Sequence, residues 1–365
     1  MCCQPKISLS ALGTLLLLLP TLSLADKIAY SELKQGDTIT VPLDLLLPTQ
    51  AVLDYDAEYA NLQRYAENTK QIYNDLCRLN GAKGVKKWND KSTPTDPKSY
   101  TCLAKAGKHT DALSSVVIAP EENTLYLTSN LTILSSFWDM PNGGTSVPVM
   151  VKVSHNLSNS GDDFWTEMKN NRDVWLVNAK GEDIESDDLP EYIGLKQLKA
   201  DKYLSLVHLL NGISYAPPTT KDNEHAPIPQ FALNWALELR TRMKIKDYNL
   251  NDTEEYATAL TEAATIMTDL PDDEIIGNSD LSAKAMGQLD QVNSKKLEKL
   301  LTTKNSPFGL AMAYRIAKKE KTTPKALLDN DKASDKVEDK KEANEKQKEK
   351  QKDQPNAINE SLKPE

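Results

Sequence analysis

The chain has 365 residues, and its 44 Lys and Arg are outnumbered by 53 Asp and Glu, giving a formal net charge of −9 at pH 7. That balance argues against a surface built throughout for neutralising phosphates, the usual basis of non-specific nucleic-acid binding, although a local basic patch remains compatible with it. Four Cys and four scattered His show no metal-ligand spacing, which removes a structural zinc module.

Lys6 is the only charge ahead of an apolar and small-residue stretch over 7–24 that contains Leu15 to Leu19 and then Pro20. Ser23-Leu24-Ala25 places small residues where a signal peptidase inspects them, so residues 1–25 read as a secretory leader cleaved after Ala25. The rival reading is a membrane anchor, but the stretch only just reaches the ~17–20 residues that span a bilayer. The expectation is therefore a secreted or periplasmic protein with no membrane anchor after cleavage. Cys77 and Cys102 are then the two cysteines that remain. In an oxidising compartment such a pair reads as a disulfide closing a loop of about 25 residues. Two buried free thiols are the alternative.

Along the folded part, Thr38-Ile39-Thr40-Val41-Pro42-Leu43 alternates like a strand, with Pro42 favouring an edge or a strand end. Residues 54–79 read as one helix with Tyr59, Leu62, Tyr65, Ile72, Leu76 and Leu79 near one face, ended by Gly81. A polar loop bearing Lys and Pro follows over 84–99. Val116-Val117-Ile118-Ala119 and Thr124-Leu125-Tyr126-Leu127 form a hairpin around Pro120-Glu121-Glu122-Asn123. Residues 131–138 read as a short apolar helix entered through Ser129-Asn130. Residues 147, 149, 151 and 153 are all Val, the face of a period-two strand.

The second half is helical. Asp162-Asp163 can cap a helix over 164–171, and residues 198–210 form a nearly all-apolar helix suited to a core. A proline-bearing connector covers 217–229, then Phe231, Trp235 and Leu239 recur every four residues. Asn251 or Asp252 starts a helix carrying Tyr256, Leu260, Ala264 and Met267, closed by Pro271. The last periodic segment covers 307–317. Residues 318–365 hold 13 Lys against 12 Asp and Glu with little apolar surface, which cannot offset the entropy of ordering them. They read as a disordered charged tail, open to a protein partner.

The order of these motifs resembles the ParB-like nuclease family, an exported bacterial branch of the ParB/sulfiredoxin fold. The resemblance is carried by Val41-Pro42-Leu43-Asp44-Leu45-Leu46-Leu47-Pro48-Thr49-Gln50, Leu125-Tyr126-Leu127-Thr128 and Ser135-Ser136-Phe137-Trp138. Asp163-Phe164-Trp165, Val174-Trp175-Leu176, Leu270-Pro271-Asp272-Asp273 and the spacing of Cys77 and Cys102 fit it too. It covers roughly residues 39–314. It implies an α+β fold: a ParB/sulfiredoxin-like domain with a small sheet over 26–155, a mostly α-helical region packed on it over 156–317, and the tail over 318–365.

The family's strand-to-helix turn reads Asp-Gly-His-His-Thr, and relatives are thought to bind nucleotide phosphates there. A helix N-terminus offers free N–H groups to an anion, and histidines move protons near pH 7. Here the turn is Ser129-Asn130-Leu131-Thr132-Ile133, without the aspartate, the glycine or either histidine. Ser129, Asn130 and Thr132 are the candidate ligand-binding turn, although Ser129 or Asn130 capping the helix explains them more simply. Thr49 and Gln50 are secondary candidates, on a loop that approaches the same cleft in this fold. No catalytic residue is assigned. A divalent cation is conceivable if the protein is active, with Asp54, Asp56 and Asp139 the carboxylates to hold it. Helix starts and solvated loops account for those acids more cheaply. Nucleotide or nucleic acid is the partner that the resemblance implies. The expectation is an exported, catalytically degenerate ParB-like domain that binds a ligand or partner. The alternative is an active nuclease or phosphate-ester hydrolase.

Overall fold

A computed structural model describes residues 29–218 and 228–322. The expected secretory leader, most of the proline-bearing connector and nearly all of the charged tail lie outside the described residues. In chain order the first elements are β1 (Thr38–Pro42), β2 (Leu46–Pro48), β3 (Val52–Leu53), α1 (Tyr55–Glu67) and α2 (Lys70–Leu79). After them come β4 (Val85–Lys87), β5 (Thr101–Cys102), β6 (Ser114–Ile118), β7 (Leu125–Leu127), α3 (Leu131–Asp139) and β8 (Pro148–Asn156). The remainder comprises α4 (Phe164–Asn170), β9 (Lys199–Ala200), α5 (Lys202–Leu209), α6 (Phe231–Arg242), α7 (Thr253–Asp269), α8 (Ser294–Thr302) and α9 (Pro307–Thr322).

Five strands form one mixed sheet in the order β1-β8-β6-β7-β2. Pro42 ends the edge strand β1, where its missing N–H breaks no ladder. Period-two alternation covers both faces of this sheet. Val116, Ile118, Val149, Val151 and Val153 turn to one core with Leu134 and Phe137 of α3 and Leu76 of α2. Val117 and Ala119 turn the other way, onto Phe164 and Met168 of α4. A Cys77–Cys102 disulfide ties α2 to β5.

The expected helix over 198–210 begins only at Lys202, because residues 199–200 pair as β9, and the expected loop over 84–99 opens with β4. Three other elements differ from the sequence reading. The expected single helix over 54–79 is two, because Asn68 takes an extended conformation and its side chain accepts from Lys70 N–H. Asn competes with helical hydrogen bonding in this way. Helix α8 escaped the pattern because it is short and largely polar, burying only Leu297 and Leu300. Helix α9 runs five residues beyond the expected limit at 317, so the start of the charged segment is helical.

Helices α5 to α9 enclose a second core around Trp235, Tyr256, Leu260, Met267 and Phe308. Helix α1 joins it to the sheet by lying along α9. Asp56, buried on α1, accepts from Tyr256 OH at 2.6 Å and from Arg315 Nε at 2.7 Å. Beside this joint, Glu58 is fully buried with neither carboxyl oxygen hydrogen-bonded among the described residues.

Candidate functional site

Two parallel pairings set up the site. Strand β2 runs parallel to β7, with Pro48 opposite Leu127, so the loops after both strands leave the same end of the sheet. Thr49-Gln50 and Ser129-Asn130 therefore meet although about 80 residues separate them, and Thr49 Oγ1 donates to Leu127 O at 2.8 Å. Ligand sites of open sheets sit beyond such carboxyl ends. The two-stranded pair β3–β9 is also parallel. Each of its strands is followed directly by an aspartate that caps the next helix. Asp54 accepts from the N–H groups of Asp56 and Ala57 at the start of α1, and Asp201 accepts from those of Tyr203 and Leu204 at the start of α5.

Helices α1 and α5 are thereby set side by side. Ser205 and His208 stand three residues apart on α5 and share a face. Ser205 Oγ donates to Asp54 Oδ1 at 2.6 Å, and His208 Nδ1 lies 2.7 Å from Asp54 Oδ2. The carboxylate side chain is 1% exposed and the imidazole 41%. A buried acid thus holds one ring nitrogen of a histidine whose other edge reaches solvent. Burial pushes the Asp54 carboxyl upward, but its bonds to His208, Ser205 and the Ala57 N–H outweigh that and hold it below the usual carboxylate range.

These parts open onto one cleft of about 410 Å³. Its lining includes the candidate ligand-binding residues Thr49, Gln50, Ser129, Asn130 and Thr132, but none of the candidate carboxylates Asp54, Asp56 and Asp139. His208 joins them from α5, with Asn61 from α1 and Gln230 from the start of α6.

The turn before α3 does not work as a simple cap. Asn130 sits in the left-handed region at φ 59°, and neither it nor Ser129 makes a side-chain cap bond to the helix. Ser129 Oγ instead accepts from Ser115 N–H at 2.8 Å, while Asn130 Nδ2 points back to Ser114 Oγ at 3.2 Å. Leu131, Thr132 and Ile133, the first turn of α3, line the cleft without a side-chain acceptor for their N–H groups. The N-terminal end of the helix dipole is therefore presented to the cleft.

Gln50 is partly committed, since its Nε2 donates to Val52 O. Asp56 is occupied by Tyr256 and Arg315, and Asp139 accepts from Leu195 N–H. The three aspartates thus serve different partners. Among the described residues no group of three or more His, Cys, Asp or Glu is arranged to hold a metal ion.

His208 escaped sequence reasoning. It was one of four histidines unpaired by spacing, and its partner lies 154 positions earlier. The signal available was a titratable residue in an otherwise apolar helix.

A family model described as "Putative ParB-like nuclease" matches residues 39–240. Among solved structures, the crystal structure of protein Atu1540 from Agrobacterium tumefaciens is similar at 19% sequence identity. Its TM-score is 0.43, over 64% of this chain and 92% of that one. None of the curated proteins compared matches.

Proposed function

The chain belongs to the ParB-like nuclease family, and on that premise we propose that it is an exported binding domain whose cleft takes a phosphate-bearing ligand. One observation carries this reading: the uncapped N-terminus of α3 opens into the cleft where Gln50, Thr132 and His208 also converge. Three successive N–H groups and the dipole of α3 suit a phosphate group. Asn61, Gln50 and Thr132 supply neutral polar groups around it, and the His208 ring faces it from the opposite wall.

In this reading the domain is catalytically degenerate at the turn, where Ser129-Asn130-Leu131-Thr132 stands in place of the family's Asp-Gly-His-His. The test is titration of the purified chain with inorganic phosphate and a mononucleotide, followed by calorimetry. Saturable binding that weakens at least tenfold in Thr132→Pro, which removes one of the N–H groups, is the expected result. Binding indifferent to that change refutes the assignment of the turn. Export is tested separately by the N-terminal sequence of protein recovered outside the cytoplasm, which should begin at Asp26.

The Asp54–His208 pair favours a second reading. A carboxylate that fixes the tautomer and orientation of an imidazole is the arrangement of a general base or acid. His208 then supplies from α5 the proton-transfer group that the turn lacks, and the reaction is hydrolysis of a phosphate ester. Turnover of a phosphodiester that disappears in His208→Ala and falls steeply in Asp54→Asn would establish it. Absence of turnover with and without divalent cations leaves the binding reading.

A further inference from the structure

The acidic chain segregates its positive charge. Residues 83–108 hold seven Lys against two Asp, and all seven lysines are exposed. None of them forms an ion pair among the described residues. Two of them, Lys86 and Lys87, line one cavity together with Lys70, and like charges around a shared cavity repel one another unless an anion lies between them.

The patch is firmly built. Strands β4 and β5 pair antiparallel, and the disulfide anchors β5 to α2. Between them the loop is pinned by Ser92 Oγ donating to Ser99 O at 2.7 Å, and by Tyr73 OH donating to Ser92 O. A cavity of about 570 Å³ opens on this scaffold, lined by Lys70, Lys86, Lys87, Trp88 and Tyr100 among others. Trp88 lies stacked on Tyr73 with centroids 5.6 Å apart, and Tyr100 tilts against Tyr73 at 5.1 Å. Trp88 and Tyr100 thus share the lining of one cavity with three lysines. The cavity shares no lining residue with the cleft at α3.

We propose that this face is a docking site for single-stranded nucleic acid, with a base packed on Trp88 and flanking phosphates on Lys70, Lys86 and Lys87. Stacking platforms bordered by cations are how unpaired strands are held without sequence preference. Bases within a duplex are already stacked and do not reach such a platform. The inference is independent of the phosphate cleft, since it rests on other residues.

Fluorescence anisotropy of the full chain with a labelled dT12 strand provides the test. Affinity should fall with salt on a log–log slope of about −2, as expected for three neutralised phosphates of a single strand. Exchanging two exposed charges in the Lys86→Glu/Lys87→Glu variant should weaken binding at least tenfold at low salt, with an unchanged thermal melt. Trp88→Ala should weaken it roughly fivefold or more, and Trp88→Phe, which keeps a ring on Tyr73, should recover most of that loss. Salt-independent binding, or affinity unmoved by the double charge reversal, overturns the proposal. So does equal binding of inorganic polyphosphate or a DNA duplex that Trp88→Ala leaves intact, which would mark a general polyanion surface. Loss of dT12 binding in Thr132→Pro with retention in the double variant would place the strand in the cleft and overturn it as well.

Discussion

Replacing Glu58 with Gln should stabilise this protein at neutral pH, by an amount set by the proton that Glu58 takes up on folding. Burial, followed by the neighbouring carboxyls of Asp139 and Asp54, pushes Glu58 from its ordinary 4.5 up to about 10. A carboxyl raised in the folded state contributes its full stability below 4.5 and loses it as pH rises through the folded value. At pH 7 the unfolded chain carries Glu58 ionised while the folded chain holds it protonated. Each pH unit above 4.5 costs about 1.4 kcal/mol, so folding at pH 7 carries a penalty of about 3 kcal/mol. A glutamine is neutral at every pH and nearly isosteric with the protonated acid, so the Glu58→Gln variant escapes that cost. Urea denaturation of both proteins at pH 4.5, 7 and 8.5 measures it. The variant should match the parent at pH 4.5 and exceed it by about 3 kcal/mol at pH 7, with a wider gap at pH 8.5. A gap that stays constant with pH, or a variant weaker at pH 7, would refute the reasoning.

Three further outcomes follow from the same structure. In Asp54→Asn the cap on α1 persists but the charged partner of His208 is lost. Because the folded Asp54 carboxyl is held low, its contribution is present above the ordinary aspartate range and fades as pH falls through its folded value. The parent's loss of stability in acid should therefore be shallower in the variant, as read by urea denaturation at acid and neutral pH. Changing Cys77 and Cys102 together to Ala should cost ~2–4 kcal/mol, seen as a lower denaturant midpoint. Arg315→Ala strands the buried Asp56 carboxylate with Tyr256 alone, and should destabilise by about 3 kcal/mol or more in the same assay. Arg315→Lys should recover only part of this, since an ammonium lacks the directed Nε–H donor.

How much was legible beforehand depended on the range of the interaction concerned. Val147 to Val153 declared its strand because side chains alternate with a period of two. The hairpin of β6 and β7 followed from two strand-forming runs about a turn of four residues, and the start of α7 was narrowed to Asn251 or Asp252, of which Asp252 is the cap. All three are set by neighbours along the chain. The break at Asn68 was not legible, because apolar spacing continues through it and only the local side-chain bond to Lys70 interrupts the helix. The turn before α3 was located, yet its chemistry was misjudged: Ser129 and Asn130 fit a cap by residue type, and the adjoining strand β6 draws both side chains away.

By itself the sequence determined the α+β class, the helical second half and the family, and it named the turn before α3 as a candidate site, since periodicity, turn chemistry and motif order are properties of short segments. Only the tertiary structure decided what that site contains. The parallel pairing of β2 with β7 brought Thr49-Gln50 to Ser129-Asn130, and that of β3 with β9 laid α5 along α1 so that Asp54 holds His208. Contacts between residues 78 and 154 positions apart leave no periodic trace in the chain. They arise only because burying the two cores fixes the sheet register and the helix positions together.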